Sequence, residues 1–494
     1  MKPHISHIIF AAMLFILLTG QAAVFAAEPE PLPAQDRYLL LDSRVVADAK
    51  NARLAVGTVT KHPANPLFGE DKPWEPRFDN LYPNVLYDKD NGLYKCWYNL
   101  FIVDKAMEST RREDRIPGTY NRTLGRQKRP LRLNGVAYAE SQDGISWRKP
   151  SLDTVDFRGS TENNLVRSNE AHGAGVFLDS RENDPSRRYK MFYRHSNEDG
   201  SRYMGVSFSA DGVHWNIHAA ARDIDAAGDT HNNALWAPTL GRYVGITRLW
   251  GKRDDTRVRQ VGRTESEDFL HWTKAELILE GIKSHQQVYS MPVFFYCGVY
   301  LGLPAIYNTK TDHVATELAR SPDTVTWRRI SPGTPLIPNA EELGAYDWGC
   351  AYAAAYPVFL ENEIRLYYGG SNGTHYDWRD GSLCLAALRP YGFAGYEPVD
   401  TSKVAEIQTV PVLCTGGRLT VTADIGADGF VTVAVSGDTE LGFDRCTPIT
   451  ETVTDDPVAW RGTPNLSRLK NKRISMVFRQ KNARLYAFSF INGE

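Results

Sequence analysis

Four segments of the chain share one spacing, S-x-D-x-x-x-W: Ser141-Gln-Asp143-Gly-Ile-Ser-Trp147, Ser209-Ala-Asp211-Gly-Val-His-Trp215, Ser266-Glu-Asp268-Phe-Leu-His-Trp272 and Ser321-Pro-Asp323-Thr-Val-Thr-Trp327. Their serines stand 68, 57 and 55 residues apart. A recurrence of that length marks stacked supersecondary units, each too small to bury its apolar face alone. An Asp inside a tight turn accepts backbone N–H bonds, and Asp-Gly between extended runs favours a hairpin. The Trp restarts the next strand and offers a large ring for burial between neighbouring sheets. These residues therefore read as architecture, without a chemical task.

A second recurrence lies upstream of each motif. Short alternating strands led by an aromatic occur at residues 93–98, 188–193, 242–246 and 299–303, and a fifth at residues 363–368 has no turn motif after it. A further apolar run precedes each, at residues 82–87, 173–178, 233–238, 288–295 and 351–360. Five units of three or four antiparallel strands predict an all-β chain built on a five-bladed β-propeller. The irregular last unit calls for a closing strand from the other terminus, and residues 38–60 are the expected donor. After about Pro390 the pattern changes. Strands at 419–424 and 430–435 around a Gly-Ala-Asp-Gly turn, and others at 474–478 and 485–490, predict a small antiparallel β-sandwich. The expected organisation is a signal peptide over 1–27, the propeller over 28–390 and the sandwich over 391–494.

The first segment has a polar head (Lys2, His4, His7), an apolar run over residues 8–18 and small residues ending at Ala26 or Ala27. That is the layout of a cleaved secretory signal, too short to span a bilayer. A secreted or periplasmic protein is expected, with no membrane span in the mature chain. With 57 Lys+Arg against 59 Asp+Glu, nothing in the charge balance favours nucleic acid. Cys96, Cys297 and Cys384 sit in apolar strand patterns and read as buried thiols, while Cys414 and Cys446 share the C-terminal region and could pair. No cysteine spacing suits a metal, and no cofactor is expected. Residues 103–134 form an insertion carrying nine Lys/Arg against four acids. It reads either as a solvated loop or as a lid that meets an anionic substrate group.

The four turns, the five aromatic-led strands and the closing Arg365-Leu-Tyr-Tyr-Gly-Gly-Ser-Asn372 resemble the five-bladed propeller glycoside hydrolases of families 43, 32, 117 and 130. The tail, notably Asn482-Ala-Arg-Leu-Tyr-Ala-Phe488, resembles the C-terminal sandwich of family 32. The resemblance implies a carbohydrate substrate and a funnel into which each innermost strand delivers its first polar residues. Glycoside hydrolysis needs two carboxyl groups, one acid and one base or nucleophile. The innermost strands offer Asp79 and Asn80, with Asn84 further on; Glu170 and His172; Asp229-Thr230-His231-Asn232-Asn233; His285, Gln286 and Gln287; and Asp347 with Trp348. His375 follows the last aromatic strand. Asp79 holds the position of the base in the resembled families. Glu170 or Asp347 is then the acid, and Asp229 orients the sugar or tunes a pKa. Asn80, His172, His231, Asn232, Asn233, His285, Gln286, Trp348 and His375 are expected to bind substrate. The histidines lack a local metal spacing, so hydrogen bonding to sugar hydroxyls is their expected role. His172 and His231 are also candidates to replace the acid, as a histidine does in family 117. The expected function is an exported glycoside hydrolase. The alternatives are a non-catalytic glycan-binding propeller, or a scaffold that binds protein through one face.

Overall fold

The structure is a computed structural model that describes residues 32–120, 131–197, 199–462 and 465–491. The signal segment 1–27 and insertion residues 121–130 lie outside the described residues. The chain is nearly all β, and five antiparallel units follow one another around a centre. Blade one comprises Arg77–Asp88, Leu93–Asp104, Arg132–Ser141 and Leu165–Ser168. Blade two comprises Ala171–Leu178, Tyr189–Ser196, Arg202–Ser209 and Trp215–Ala220, and blade three Asn233–Ala237, Arg242–Arg253, Thr256–Ser266 and Glu276–Glu280. Blade four is broken along its length. Its outer part is Val293–Tyr296, Val299–Gly302, Leu318–Ser321 and Arg328–Ile330, and its inner part is Gln286–Ser290, Ala305–Asn308 and His313–Thr316. A single parallel bridge, Val314 to Cys350, joins that inner part to blade five.

All four turns close as their sequence predicts. In the first, Asp143 accepts from the N–H groups of Ile145 and Ser146, each at 2.7 Å, and from the Ser141 hydroxyl at 2.9 Å. Those two N–H bonds hold the Asp143 carboxyl far below the usual range. Asp211, Asp268 and Asp323 repeat the pattern. Each Trp then packs backwards onto the preceding blade. Trp215 joins Trp97 and Tyr138 of blade one, Trp272 lies 5.0 Å from Phe192 of blade two, and Trp327 joins Val244 and Ile246 of blade three. Trp147 reaches Tyr367 of blade five, which completes the circuit.

Blade five, Cys350–Ala353, Ile364–Ser371 and Gly381–Leu388, takes its outer strand from the N-terminal side. Thr60–Lys61 and Phe68–Gly69 pair with Gly381–Leu388. The rest of the expected closing segment goes elsewhere. Arg37–Leu39, Val46–Lys50 and Ala52–Val56 enter the C-terminal sheet, on Met476–Ile491, Ala405–Thr409 and Ala394–Pro398. That sheet is built on Arg418–Val435 paired with Met476–Ile491. The predicted Gly-Ala-Asp-Gly turn is a correction: residues 426–429 bulge out of one continuous strand, opposite Asn482, whose side-chain amide donates to the Ala427 carbonyl. Residues from both halves of these strands, such as Val421 and Val433, share one core, so the sheet folds over itself. The proposed Cys414–Cys446 bridge is a second correction. All six cysteines are free; Cys414 donates to the Gly416 carbonyl and Cys446 accepts from the Val433 N–H. Among the described residues no helix is long and apolar enough to cross a membrane.

Replacing Trp272 by Ala removes a buried ring that holds two blades together. We expect a loss of about 3–5 kcal/mol, read as a lower denaturation midpoint, with a smaller loss for half-buried Trp147→Ala.

Candidate functional site

The innermost strands of the first three blades converge on one imidazole. His172, second in the inner strand of blade two, is 5% exposed. Its Nδ1 lies 3.0 Å from Asp79 of blade one and 3.2 Å from the side-chain oxygen of Asn134. Its Nε2 lies 2.9 Å from Asp229, which leads into blade three. Arg194 Nη1 approaches the same Asp229 oxygen at 3.2 Å, and Arg248 Nη1 reaches the other at 3.8 Å. The Asp229 side chain remains 48% exposed, so this carboxylate faces an opening.

Local backbone geometry sets these positions. Asn80, Leu81 and Tyr82 all have left-handed φ, at 53°, 60° and 39°. Such values are costly for Leu and Tyr and concentrate at functional sites. They coincide with breaks in the pairing register between Phe78, Leu81 and Asn84, which turn Asp79 and Asn80 out of the regular ladder. Blades two and three meet at glycines. A Cβ on Gly173, whose φ is 60°, would sit 1.7 Å from the Thr230 carbonyl oxygen, and one on Gly175 would sit 1.9 Å from that of Asn232. This close approach sets the segment of His172 beside that of Asp229.

The electrostatics follow from burial and partners. Burial and the charge of Arg194 oppose protonation of His172, yet Asp79 and Asp229 outweigh them and raise its pKa. Burial opposes ionisation of Asp229, but the hydrogen bond from His172 and the charges of His172, Arg248 and Arg194 hold its carboxyl far below the usual range. Burial alone drives His231 down to about 3. His375 is pushed well below its ordinary value by burial, then by Arg379, Arg259, Arg77 and Arg248. Of these three histidines, His172 is the one whose surroundings raise its pKa.

The other expected site residues divide. Asn80 joins the funnel, donating to Tyr82 at 2.8 Å and accepting from Arg379 at 2.6 Å. His375 accepts from or donates to Tyr352 at 2.9 Å, with its ring 4.8 Å from Tyr289. His231 stacks on Tyr82 at 5.2 Å and meets Asn84 at 3.2 Å. Asn232 and Asn233 are fully buried and serve the backbone. Asn232 donates to the carbonyls of Gly173 and Gly228, and Asn233 ties the Val293 N–H to the Ala355 carbonyl. Glu170 does not join the His172 cluster; it is half-exposed and paired with Arg167 at 2.6 Å. Asp347 is fully buried, 2.6 Å from Lys61, and accepts from Tyr368 at 2.7 Å, so it fastens the closing strand. Trp348 packs on His313 at 4.7 Å, and His285 and Gln286 are half-buried at the start of blade four's inner strand. Among the described residues no group of His, Cys, Asp and Glu has the makings of a metal site.

Sequence reading missed the arginines Arg77, Arg194, Arg248, Arg259 and Arg379, and the rings Tyr289 and Tyr352. The available signal was a charged residue at an inward position of an otherwise apolar strand, as in Tyr189–Ser196. The described part of the basic insertion docks beside blade five. Arg112 pairs with Asp380 at 2.6 Å, the Gly118 N–H donates to Asp377, and Tyr120 lies edge-on to Trp378.

No family model matches the sequence, and no curated protein matches it. Among solved structures the chain is similar to one named a glycoside hydrolase, with 16% identity, a TM-score of 0.45, and coverage of 68% of this chain and 93% of that one. It is also similar to a member of the GH130 family of mannoside phosphorylases, described as containing glycoside hydrolases that target beta-1,2 mannosidic linkages, at 15% identity and a TM-score of 0.45, covering 70% and 97%. A third is a glycosyl hydrolase from Bacteroides ovatus, at 15% identity and a TM-score of 0.44, covering 70% and 98%. The likeness is one of fold.

Gly175→Ala forces the Asn232 backbone away. We expect a loss of about 1–3 kcal/mol, read as a lower thermal midpoint, because the new methyl meets backbone and not a movable side chain.

Proposed function

We propose that the chain is an exported glycan-acting enzyme that hydrolyses an O-glycosidic bond at the funnel. The observation that carries this reading is the imidazole of His172 held between Asp79 and Asp229 at 3.0 and 2.9 Å. Such hydrolysis needs a group that gives a proton to the leaving oxygen and one that takes a proton from water. Protonated His172 is the donor. Asp79, from the neighbouring blade, is the acceptor. Asp229 is a positioning residue: ionised and clamped by Arg194, it orients the imidazole and supports its positive charge. Glu170 and Asp347, paired with Arg167 and Lys61, are left out of this chemistry.

One observation favours a second reading, a propeller that binds glycan without cleaving it. Both carboxylates of the described cluster are engaged by cations, so neither is a free acid of the ordinary glycosidase kind.

The test is sugar release by the purified mature chain from neutral and anionic oligosaccharides. His172→Asn is expected to lower release by about 10²-fold or more. Because activity needs protonated His172, it should be present at low pH and fall as pH rises through the raised His172 pKa. In Asp229→Asn one of the two supporting carboxylates is gone, the His172 pKa falls, and this alkaline limb moves to lower pH. An unchanged profile at full rate would remove Asp229 from the mechanism. Binding without release from any glycan would establish the second reading.

A further inference from the structure

Guanidiniums crowd the funnel in excess of the carboxylates that face them. Arg77 comes from blade one, Arg194 from blade two, Arg248 and Arg259 from blade three, and Arg379 from the loop before the Gly381–Leu388 strand. Their exposures are 3%, 6%, 1%, 9% and 6%. Burying a guanidinium costs several kcal/mol unless an anion compensates it. Compensation here is incomplete. Arg194 and Arg248 share Asp229. Arg259 has only neutral partners, Gln287 at 2.8 Å and Tyr376 at 2.8 Å. Arg379 donates to Asn80 and to the Cys350 sulfur, and Arg77 to the Asp377 carbonyl at 3.3 Å. Nε and Nη1 of both Arg77 and Arg248, and Nε of Arg194 and Arg259, hydrogen-bond nothing in the protein.

The nearby acids do not cancel this surplus: the charge of Asp79 acts on Arg379 and Arg194, but the same carboxylate faces His172 at 3.0 Å. Asp104 caps the helix Lys105–Ser109 and pairs with Arg132 at 2.8 Å. Asp312 accepts from the Tyr307 hydroxyl at 2.8 Å and the Tyr376 N–H at 2.7 Å. The surplus also converges, since the charges of Arg379, Arg259, Arg77 and Arg248 all act on the buried ring of His375. Aromatic rings lie against the arginines. Arg248 and Arg259 lie 4.2 and 5.1 Å over Tyr289, and Arg257 and Arg259 lie 4.0 and 5.1 Å over Trp250. The wall opens at Asp229, whose side chain is 48% exposed, and at exposed Tyr376.

We propose that this funnel takes a glycan bearing an oxyanion, a uronate carboxylate or a sulfate ester, seated on Arg248, Arg259 and Arg379 beside His375. The guanidinium fork presents paired N–H donors that match either group. The proposal rests on the glycan-acting reading above and adds the class of sugar.

The test uses the mature chain with uronate oligosaccharides and their carboxyl-reduced counterparts, sulfated oligosaccharides and their desulfated counterparts, and inorganic sulfate and phosphate. Affinity and sugar release are measured in parallel. The expected result is at least tenfold tighter binding of one charged series than of its neutral counterpart, weakening as salt rises. In Arg259→Met that preference should collapse towards unity. In Arg259→Lys it should recover only in part, because a point charge lacks the fork. Should Arg259→Met not fold, the salt dependence of the unaltered chain decides. Equal affinity for charged and neutral glycans overturns the proposal, and release from both would leave the hydrolase reading standing. Inorganic sulfate or phosphate binding as tightly as the sugar-borne group also overturns it. Charge-selective binding without release keeps the proposal and removes the hydrolase reading. Binding of no glycan at all removes both.

Discussion

The funnel depends on backbone meeting backbone between blades two and three. Where Gly173 and Gly175 pass Thr230 and Asn232 there is no room for a Cβ, and the polar groups of the two segments must satisfy each other. Asn232 does much of this work, donating to the Gly173 carbonyl at 2.9 Å and accepting from Thr247 at 2.7 Å. The same device recurs around the ring. Asn84 and Asn99 of blade one both donate to the Ala174 carbonyl of blade two, and Asn233 links blade three to blades four and five. Buried amides without such partners would cost about 1–3 kcal/mol each. The asparagines thus let inner strands sit close, so that His172 of blade two meets Asp79 of blade one.

Two kinds of charge share this centre, with different physical logic. The Asp79–His172–Asp229 chain sets two carboxylates around one imidazole, and these anions favour its protonated form. The arginines are unbalanced, and their burial makes sense as recognition of something that arrives with the opposite charge. Neutral His231 and His375 sit beside them as uncharged neighbours, stacked on Tyr82 and edge-on to Tyr289. Protonating either would add to an already positive site.

The blades were legible in the sequence because local rules make them. A Ser, an Asp two residues on and a Trp four beyond that close the same hydrogen-bonded turn wherever they occur. The candidate site was legible only in part. Asp79, His172, Asp229 and Asn80 lie where innermost strands begin, His375 follows the last aromatic strand, and all five reach the centre. Asn232 and Asn233 read identically in one dimension, but their hydrogen-bonding capacity is consumed by backbone from other blades. Asp347 met Lys61, nearly three hundred residues earlier, and no local pattern announces that pair. The arginines escaped for the opposite reason: Arg194, Arg248 and Arg259 sit on second and third strands, where a single charge in an apolar alternation reveals its meaning only once five blades face one another. The Gly-Ala-Asp-Gly segment carried every mark of a hairpin, yet a partner strand long enough to span both halves turned it into a bulge.

The N-terminal segment threads both sheets. Arg37–Leu39, Val46–Lys50 and Ala52–Val56 lie in the C-terminal sheet, and a few residues later Thr60–Lys61 and Phe68–Gly69 complete blade five. The ring is therefore shut by a strap whose other end is clamped by the C-terminal sheet. Cutting near residue 390 would not yield two modules: it would strip the strap's anchor from one piece and three strands from the other. Unfolding of the second sheet would slacken the strap at Lys61, release its grip on Asp347, and open the propeller at its seam. The two sheets should accordingly melt as one cooperative body.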